Sequence, residues 1–339
     1  AYHFKSNAIK NSIYGVDIDA GAVEIAKLRL WLSMVVDEER IDNIEPLPNL
    51  EYKIVQGNSL INMPDGSFRN GDLEAEIEKL TNNYYTITDK EKKQEQKDII
   101  DKKIHQLLVS ASDFAGYKID FDFKLFFHEV WNKRNGFDIV IGNPPFVEAR
   151  KIPQYLVNIY RKAYETAGNR INTFSLFTEK GICNLNTDRI ISFIIHRNSI
   201  RSNDYKKLRK YILDNCCIKE ILSFKNGVFD SVTGEMVVLI LKRNKTNIEN
   251  NLKITFLNKS IVYADIDYKY IEQSIFKELP DYRFNIYLTN DIINVIEKIN
   301  KHEKLVKFGS TSQGIIVGDE KQYVTKEKIK DYYRPILRG

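Results

Sequence analysis

The residues best suited to chemistry in this chain are Asn143, Pro144, Pro145 and Phe146, which follow an apolar run and a glycine. The run at residues 139–141 predicts a buried strand, and open α/β sheets bind ligands at the carboxyl ends of their strands. The Asn143 amide offers both hydrogen-bond donors and an acceptor. The two prolines restrict the backbone and lack N–H groups, so we expect the local carbonyl groups to be free acceptors. With the ring of Phe146 beside them, these groups predict a slot for a flat molecule that carries an amino group, such as adenine.

The same segment could instead be a proline-rich turn that only ends a core strand. That is the ordinary role of a Pro-Pro pair on its own. The asparagine before the pair and the aromatic residue after it favour the binding slot, because a simple turn requires neither of them.

A second candidate is Asp17, at the end of a strand predicted at residues 12–18. A long helix is predicted from about Ala22, because apolar residues recur at helical spacing at Ile25, Leu28, Leu32 and Val35. In doubly wound folds, an acidic residue at a strand end binds the ribose hydroxyl groups of a nucleotide-like cofactor. We assign this role to Asp17, with Ile18 packing on the adenine of the cofactor. The alternative is that Asp17 or Asp19 only caps the helix.

A third candidate is Asn58, at a polar turn that ends a short strand predicted within residues 52–60. At that position its side chain could read the edge of the cofactor's adenine. The alternative is an ordinary asparagine in a turn, where the side chain hydrogen-bonds to the nearby backbone.

Composition limits the class of protein. The chain has 339 residues, 43% of them hydrophobic, which is enough for a sizeable core and more than one domain. Its 51 Lys and Arg against 46 Asp and Glu give a formal net charge of +5, which permits a nucleic-acid partner without arguing for one. The three cysteines lack metal-ligand spacing, so we expect no metal in this region and a reducing cytoplasm. No run has membrane length and no signal peptide is present, so no membrane partner is predicted.

The stretch from about residue 64 to residue 130 differs from its surroundings, because it is rich in charges of both signs. Two helical faces are predicted from its apolar residues, which are Leu73, Ile77 and Leu80 on one and Ile100, Ile104, Leu107 and Leu108 on the other. We interpret it as a helical insertion at about residues 66–128, in the form of a solvated hairpin. A role in gripping DNA is the less favoured alternative, because acidic and basic residues alternate.

The second half alternates strands and helices, which predicts a mainly parallel α/β sheet. Strands are predicted at residues 189–195, 218–224 and 236–242, the last two as an antiparallel hairpin at the edge of the sheet. Helices are predicted at residues 173–185 and 204–213, and a mobile segment at residues 148–166. Residues 244–306 give a mixed pattern, and residues 308–318 give a glycine-punctuated strand signal.

Taken in this order, Asp17, Asn58, the Asn143–Phe146 motif and the pair Val228 and Phe229 resemble the motifs of DNA methyltransferases that modify amino groups. More narrowly, the chain is similar to the TaqI-like catalytic regions of type IIG restriction–modification enzymes, over about residues 13–243. The resemblance implies an α/β fold with a Rossmann-like S-adenosylmethionine-dependent methyltransferase sheet, a helical insertion and the start of a C-terminal target-recognition domain. It places the catalytic core at residues 1–243, a linking region at 244–307 and the recognition domain from 308 to 339.

The resemblance also implies a role for each matching residue. Asp17, Ile18, Asn58, Ser59 and Phe177 would bind S-adenosylmethionine. Asn143 and the Pro144 carbonyl would accept hydrogen bonds from the target amino group, in a corner completed by Pro145. Phe146 would stack on an adenine flipped out of double-stranded DNA, and Phe229 would pack against that base from another side.

This sequence departs from the pattern of its relatives at several points. Asn58 stands where relatives often have Asp, and Phe146 where many have Tyr. The glycine-rich cofactor motif that precedes the Asp17 strand in relatives is absent, and the chain opens with alanine, so we expect a fragment. Methyl transfer to glutamine side chains or to RNA remains an alternative, because both can use such a motif. A catalytically inactive DNA-specificity subunit is the non-enzymatic alternative. We expect a bacterial or archaeal cytoplasmic protein.

Overall fold

The structure is a computed structural model of the chain, and it describes residues 2–38, 49–64, 71–168, 170–224, 235–244, 250–257, 267–303 and 307–309. The chain forms two units, Ala1–Ile286 and Tyr287–Gly339. The domain limits expected at residues 243 and 307 remain predictions. Among the described residues, no helix combines the length and apolar character needed to cross a bilayer.

The first unit begins with a helix that the sequence patterns did not predict. Its opening elements are α1 (Tyr2–Ser12), β1 (Gly15–Asp17), α2 (Ala20–Val35) and β2 (Ile54–Gln56). Strands β1 and β2 pair in parallel, with Asp17 opposite Gln56. The strand ends that we predicted to bind a cofactor therefore lie side by side.

The predicted insertion is helical, and it consists of α3 (Gly71–Tyr84), α4 (Lys90–Ala115), α5 (Phe123–Phe126) and α6 (His128–Arg134). Helix α4 is capped at its start by Asp89, whose side chain accepts a hydrogen bond from the Lys92 N–H at 2.9 Å, and at its end by Gly116 in the left-handed conformation. Its apolar face is buried in a cluster that also contains Tyr52, Leu60 and Leu176. The hairpin is therefore not merely solvated, because it supplies part of the core.

The remaining elements of the first unit follow α6. They are β3 (Phe137–Gly142), α7 (Gln154–Ala163), α8 (Thr173–Asn184), β4 (Leu185–His196), α9 (Asn198–Arg201), α10 (Lys206–Asn215), β5 (Cys216–Phe224), β6 (Met236–Arg243), β7 (Asn251–Leu257), β8 (Asp267–Glu272) and α11 (Ile275–Glu278). Helix α7 occupies most of the segment that we predicted to be mobile. Helices α8 and α10 agree with the predicted positions to within a few residues.

Strands β3 to β8 form one six-stranded sheet in the order β3-β4-β6-β5-β7-β8. The β3–β4 and β5–β7 pairs are parallel, and the β4–β6, β5–β6 and β7–β8 pairs are antiparallel. The sheet is thus mixed, and the prediction of a mainly parallel sheet is wrong. The β5–β6 hairpin exists, but it lies inside the sheet because β7 and β8 extend it beyond β5.

Two predicted apolar surfaces are exposed in the described part of the chain. Strand β3 pairs only with β4 there, and Ile139 and Ile141 are 66% and 75% exposed, so the prediction of a buried strand is wrong. On α2, the stripe containing Ile25, Leu28 and Leu32 is also exposed, whereas Val23 and Met34 are buried. Apolar spacing identified the elements correctly but not the faces that they bury.

The second unit contains α12 (Asn290–Asn300), whose first turn is capped by the Thr289 hydroxyl. The strand predicted at residues 308–318 lies outside the described residues except for its first two positions.

Candidate active site

The Asn143–Phe146 segment forms an open corner immediately after β3. Asn143 and Pro145 are exposed, whereas Pro144 is buried beneath them. Within the described ranges, no residue hydrogen-bonds to the Asn143 side chain or to the Pro144 carbonyl. The corner therefore presents the side-chain amide of Asn143, and the Pro144 carbonyl has no hydrogen-bond partner among the described residues.

Hydrogen bonds from Thr173, the first residue of α8, hold this corner in place. The Thr173 hydroxyl donates a hydrogen bond to the Pro145 carbonyl and accepts one from the Val147 N–H at 3.1 Å. The Thr173 N–H in turn donates to the Val147 carbonyl at 3.0 Å, and the Ala149 N–H donates to the Ile171 carbonyl at 2.9 Å. The expectation that all local carbonyls are free is therefore wrong for Pro145. Its carbonyl holds the corner in place, and the Pro144 carbonyl is the acceptor that remains.

Phe146 carries the exposed aromatic surface of the corner. Its ring packs against that of Phe174 with a centroid separation of 5.7 Å and an interplanar angle of 57°. Phe174 is buried and packs in turn on Tyr205 at 4.9 Å. Burial raises the pKa of the Tyr205 hydroxyl above its usual range. Phe146 is thus supported by other rings while still 36% exposed.

The structure separates the roles of the two aspartates at the end of β1. Asp19 is the N-cap of α2, since its carboxylate accepts a hydrogen bond from the Ala22 N–H at 2.7 Å. Asp17 is exposed, and its carboxylate accepts a hydrogen bond from the Asp19 N–H at 2.9 Å. Asp17 also lines a groove of about 450 Å³ between β1 and α2. Its carboxylate is therefore accessible to hydroxyl groups of a ligand.

Asn58 combines features of both alternatives. Its side-chain oxygen accepts a hydrogen bond from the Leu60 N–H at 3.0 Å, which is the bond of a turn-forming asparagine. Its own N–H donates to the Asp120 carboxylate at 3.1 Å, a contact that the sequence did not reveal. The Gly57 N–H donates to the Asp17 carbonyl at 2.8 Å, so the Asn58 turn begins directly beside Asp17.

The other predicted site residues are distributed over these two regions. Ile18 is 68% exposed beside Asp17, and Ser59 is half-buried in the Asn58 turn. Phe177 lies on the same helix as Phe174 and packs against the cluster shared with the insertion. Phe229 lies outside the described residues. A cavity of about 670 Å³ is lined by residues 60–64, by residues at the end of α4 and by residues of α5 to α8, and none of the predicted site residues lines it.

The groups near Asp17 fit a nucleoside-like cofactor. An exposed carboxylate at a strand end can accept hydrogen bonds from ribose hydroxyl groups, and the neighbouring exposed Ile18 offers an apolar contact for a base. By contrast, no cluster of three or more His, Cys, Asp or Glu side chains suited to a metal ion occurs within the ranges that the structure describes.

Comparison with protein families matches residues 11–229 to the Eco57I restriction-modification methylase model. The chain belongs to this family. The matched region contains β1, β2, the insertion and the open corner at the end of β3, and it therefore spans both parts of the candidate site.

Curated relatives and a solved structure extend the comparison. A putative type II restriction enzyme and methyltransferase of Methanocaldococcus jannaschii is 24% identical, covering 100% of this chain and 35% of that protein. The type II restriction enzyme and methyltransferase RM.Eco57I of Escherichia coli is 24% identical, covering 94% and 26%. The chain thus spans about a third or less of these relatives. A solved DrdV–DNA complex is 13% identical over 86% of this chain and 26% of that one, with a TM-score of 0.49.

Two residues that contact the site were missed in the sequence. Thr173 was assigned only to a helix, and Asp120 only to the end of the insertion. Both residues contact partners that are distant in the sequence, since Thr173 lies 28 positions from Pro145 and Asp120 lies 62 positions from Asn58. No local pattern signals such contacts.

Proposed function

We propose that this chain is the catalytic region of a methyltransferase that transfers a methyl group from S-adenosylmethionine to the exocyclic amino group of adenine in DNA, within a restriction–modification system. Enzymes of the restriction-modification methylase family take the methyl group from this cofactor. The observation that carries the proposal is the open corner, where Asn143 and the Pro144 carbonyl lie beside the exposed ring of Phe146.

The corner suits an amino group because that group is a poor nucleophile in an aromatic ring. Its lone pair is delocalised into the ring while the nitrogen is planar. The Asn143 amide oxygen and the Pro144 carbonyl can each accept one N–H, and two such acceptors favour a pyramidal nitrogen with a localised lone pair. Because the acceptors are held in place before the substrate arrives, they also stabilise the positive charge that develops on the nitrogen.

None of the four corner residues is titratable, so none of them can act as a general base. None is needed before attack, since the amino proton can leave after the new bond has formed. The contribution of the chain is then to hold the target adenine with its amino nitrogen aligned for attack on the methyl group. Bound S-adenosylmethionine would supply an activated methyl group on a sulfonium centre.

The cofactor would lie against the ends of β1 and β2. We assign its ribose to the Asp17 carboxylate, its adenine to Ile18 and Phe177, and further contacts to the turn containing Asn58 and Ser59. Both polar groups of the Asn58 side chain have protein partners, since its oxygen accepts a hydrogen bond from the Leu60 N–H and its NH₂ group hydrogen-bonds to the Tyr160 hydroxyl.

An adenine inside a duplex cannot reach the corner, so the target nucleotide must be flipped out, at a cost of a few kcal/mol. Stacking on the exposed Phe146 ring offsets part of that cost. Phe229 is proposed to contact the flipped base from another side. The three cysteines agree with a reducing cytoplasm as the site of action.

The test is to incubate the full-length protein with S-adenosylmethionine labelled in its methyl group and, separately, with duplex DNA, RNA and a glutamine-bearing protein. We expect label in DNA, recovered as N6-methyladenine after digestion. Label confined to RNA or protein would replace the proposed substrate with one of the alternatives. Absence of label in all three, with the protein folded, would support an inactive specificity subunit.

A further inference from the structure

A cluster of charged side chains lies directly beside the open corner. The Glu148 carboxylate bridges two arginines, with Oε2 2.9 Å from Arg150 Nε and Oε1 3.0 Å from Arg170 Nη2. Arg170 Nη1 also lies 3.8 Å from the Asp204 carboxylate. The side chains of Arg150 and Arg170 are 75% and 55% exposed, whereas that of Glu148 is 28% exposed. The carboxylate is thus the inner member of the cluster and the guanidinium groups are the outer ones.

The backbone holds this cluster at a fixed distance from the corner. Glu148 follows Phe146 by two residues, so their Cα atoms are at most about 7 Å apart. Glu148 also forms an antiparallel bridge with Asn172, the residue before the Thr173 that fixes the Pro145 carbonyl. Arg150 and Arg170 therefore each lie two residues from a backbone bridge that also holds the Asn143–Phe146 corner.

We infer that Arg150 and Arg170 bind phosphate groups of the DNA strand that carries the target base, and that Glu148 orients them before DNA arrives. This inference rests on the proposed function. A guanidinium group has five N–H donors in a planar fork that matches phosphate oxygens. The contacts to Glu148 and Asp204 use only some of these donors, and the exposed edges remain accessible to a ligand.

The alternative is that these residues form an ordinary exposed ion-pair cluster that binds no ligand. Such pairs are common on protein surfaces and contribute little to folding stability. The chain contains a suitable comparison. At the opposite end of β3, the Asp138 carboxylate also bridges two arginines, Arg134 and Arg189, with Arg189 Nε 2.9 Å from Asp138 Oδ1. Both clusters place a carboxylate between two arginines, but the Asp138 cluster lies away from the corner.

The test compares two double variants of the full-length protein, Arg150→Ala with Arg170→Ala and Arg134→Ala with Arg189→Ala. Each variant removes two positive charges. The dissociation constant for a mixed-sequence duplex DNA is measured from low to physiological salt, with unfolding curves recorded for both variants. Each phosphate contact contributes about 0.9 to the slope of log affinity against log salt.

For the Arg150 and Arg170 variant, we expect the slope to fall by about two and binding at physiological salt to weaken by about tenfold or more. The Arg134 and Arg189 variant should keep the wild-type slope. Replacing Arg150 and Arg170 by lysine should restore most of the slope, because the charge is retained. An unchanged slope in the first variant, or an equal loss in both, would overturn the inference.

The outcome can be separated from failure of the proposed function. If the wild-type protein does not methylate DNA, the proposed function fails whatever the slopes are. If the wild type methylates DNA and the Arg150 and Arg170 variant binds DNA with an unchanged slope, only the phosphate assignment fails.

Discussion

The hydroxyl group of Thr173 donates a hydrogen bond to the carbonyl oxygen of Pro145, across 28 positions of sequence. The same hydroxyl accepts a hydrogen bond from the Val147 N–H, so one side chain holds the backbone on both sides of Phe146. Since proline has no N–H, the corner cannot be fixed by a ladder of backbone bonds on its own. Thr173 is therefore a positioning residue, because its two hydrogen bonds hold the backbone where the prolines cannot donate.

Replacing Thr173 by valine keeps the shape of the side chain and removes both hydrogen bonds. We expect methyl transfer to lose about tenfold to a hundredfold in kcat, because small displacements of a reacting group are costly, with a smaller change in KM. Thr173→Ser should recover most of the rate. Steady-state kinetics with labelled cofactor and duplex DNA provide the measurement.

The control is Thr178→Val on the same helix. The buried Thr178 hydroxyl donates only to the Phe174 carbonyl, one turn back along α8, at 2.8 Å. Both valine variants should lose a similar amount of stability, about 1 kcal/mol. If the two variants also lose kcat equally, Thr173 has only a structural role.

The two aspartates after β1 should give opposite results. Asp17→Asn should weaken S-adenosylmethionine binding by about tenfold to a hundredfold, since hydrogen bonds to a charged group are worth roughly 1.5–3 kcal/mol, and should leave stability nearly unchanged. Asp19→Ala should lower the free energy of unfolding by about 1 kcal/mol through loss of the helix cap. Calorimetric titration and denaturant unfolding of the full-length protein measure the two effects. Equal cofactor affinity in wild type and Asp17→Asn would remove Asp17 from the cofactor site.

The insertion should contribute to the stability of the catalytic core. Ile100 is fully buried in the shared cluster, whereas its neighbour Ile99 on α4 is 45% exposed. Ile100→Ala should destabilise the protein by about 2–5 kcal/mol, and Ile99→Ala by less than about 1 kcal/mol. Denaturant unfolding of both variants tests this. Deletion of the whole hairpin should therefore impair the cofactor site as well, contrary to what a solvated insertion would predict.

Glu129 gives the protein a pH dependence. Its carboxylate accepts hydrogen bonds from the Tyr14 hydroxyl and from Lys53 Nζ at 3.0 Å. Burial by itself would raise the pKa of Glu129, but these hydrogen bonds and the charge of Lys53 outweigh it and hold the pKa below its ordinary value of 4.5. A carboxyl whose pKa is lowered by folding stabilises the protein above pH 4.5, and that stability is lost as the pH falls through the lowered value.

Glu129→Gln should therefore be less stable than wild type at pH 7, by about 1–3 kcal/mol, and its stability should fall less steeply below pH 4.5. Asp214→Asn, which breaks the exposed pair with Lys210, serves as the control and should change stability little, because solvent screens exposed ion pairs. Unfolding curves between pH 3 and pH 7 measure both. Parallel pH profiles for wild type and Glu129→Gln would contradict this assignment.

Local sequence signals predicted the position of most elements. The strand before Asn143, the helix at Thr173 and the paired helices of the insertion all follow from the spacing of apolar residues. The motif at residues 143–146 also indicated an exposed corner, because two prolines and an asparagine dictate the backbone there. These features depend on neighbours in sequence.

Features that depend on distant partners were not predictable. The sheet order places β6 between β4 and β5, and no alternation pattern distinguishes an interior hairpin from an edge hairpin. Ile139 and Ile141 have the composition of a buried strand, but burial depends on what lies against them. The Thr173 and Asp120 contacts join separate elements in the same way.

The most direct test of the central claim is Asn143→Ala in the full-length protein, with methyl incorporation into duplex DNA and S-adenosylmethionine binding measured on the same preparation. We expect incorporation to fall to background, because one of the two acceptors for the amino group is lost, while cofactor affinity stays within about twofold of wild type. Incorporation near the wild-type rate would contradict the assignment of the corner as the site of methyl transfer.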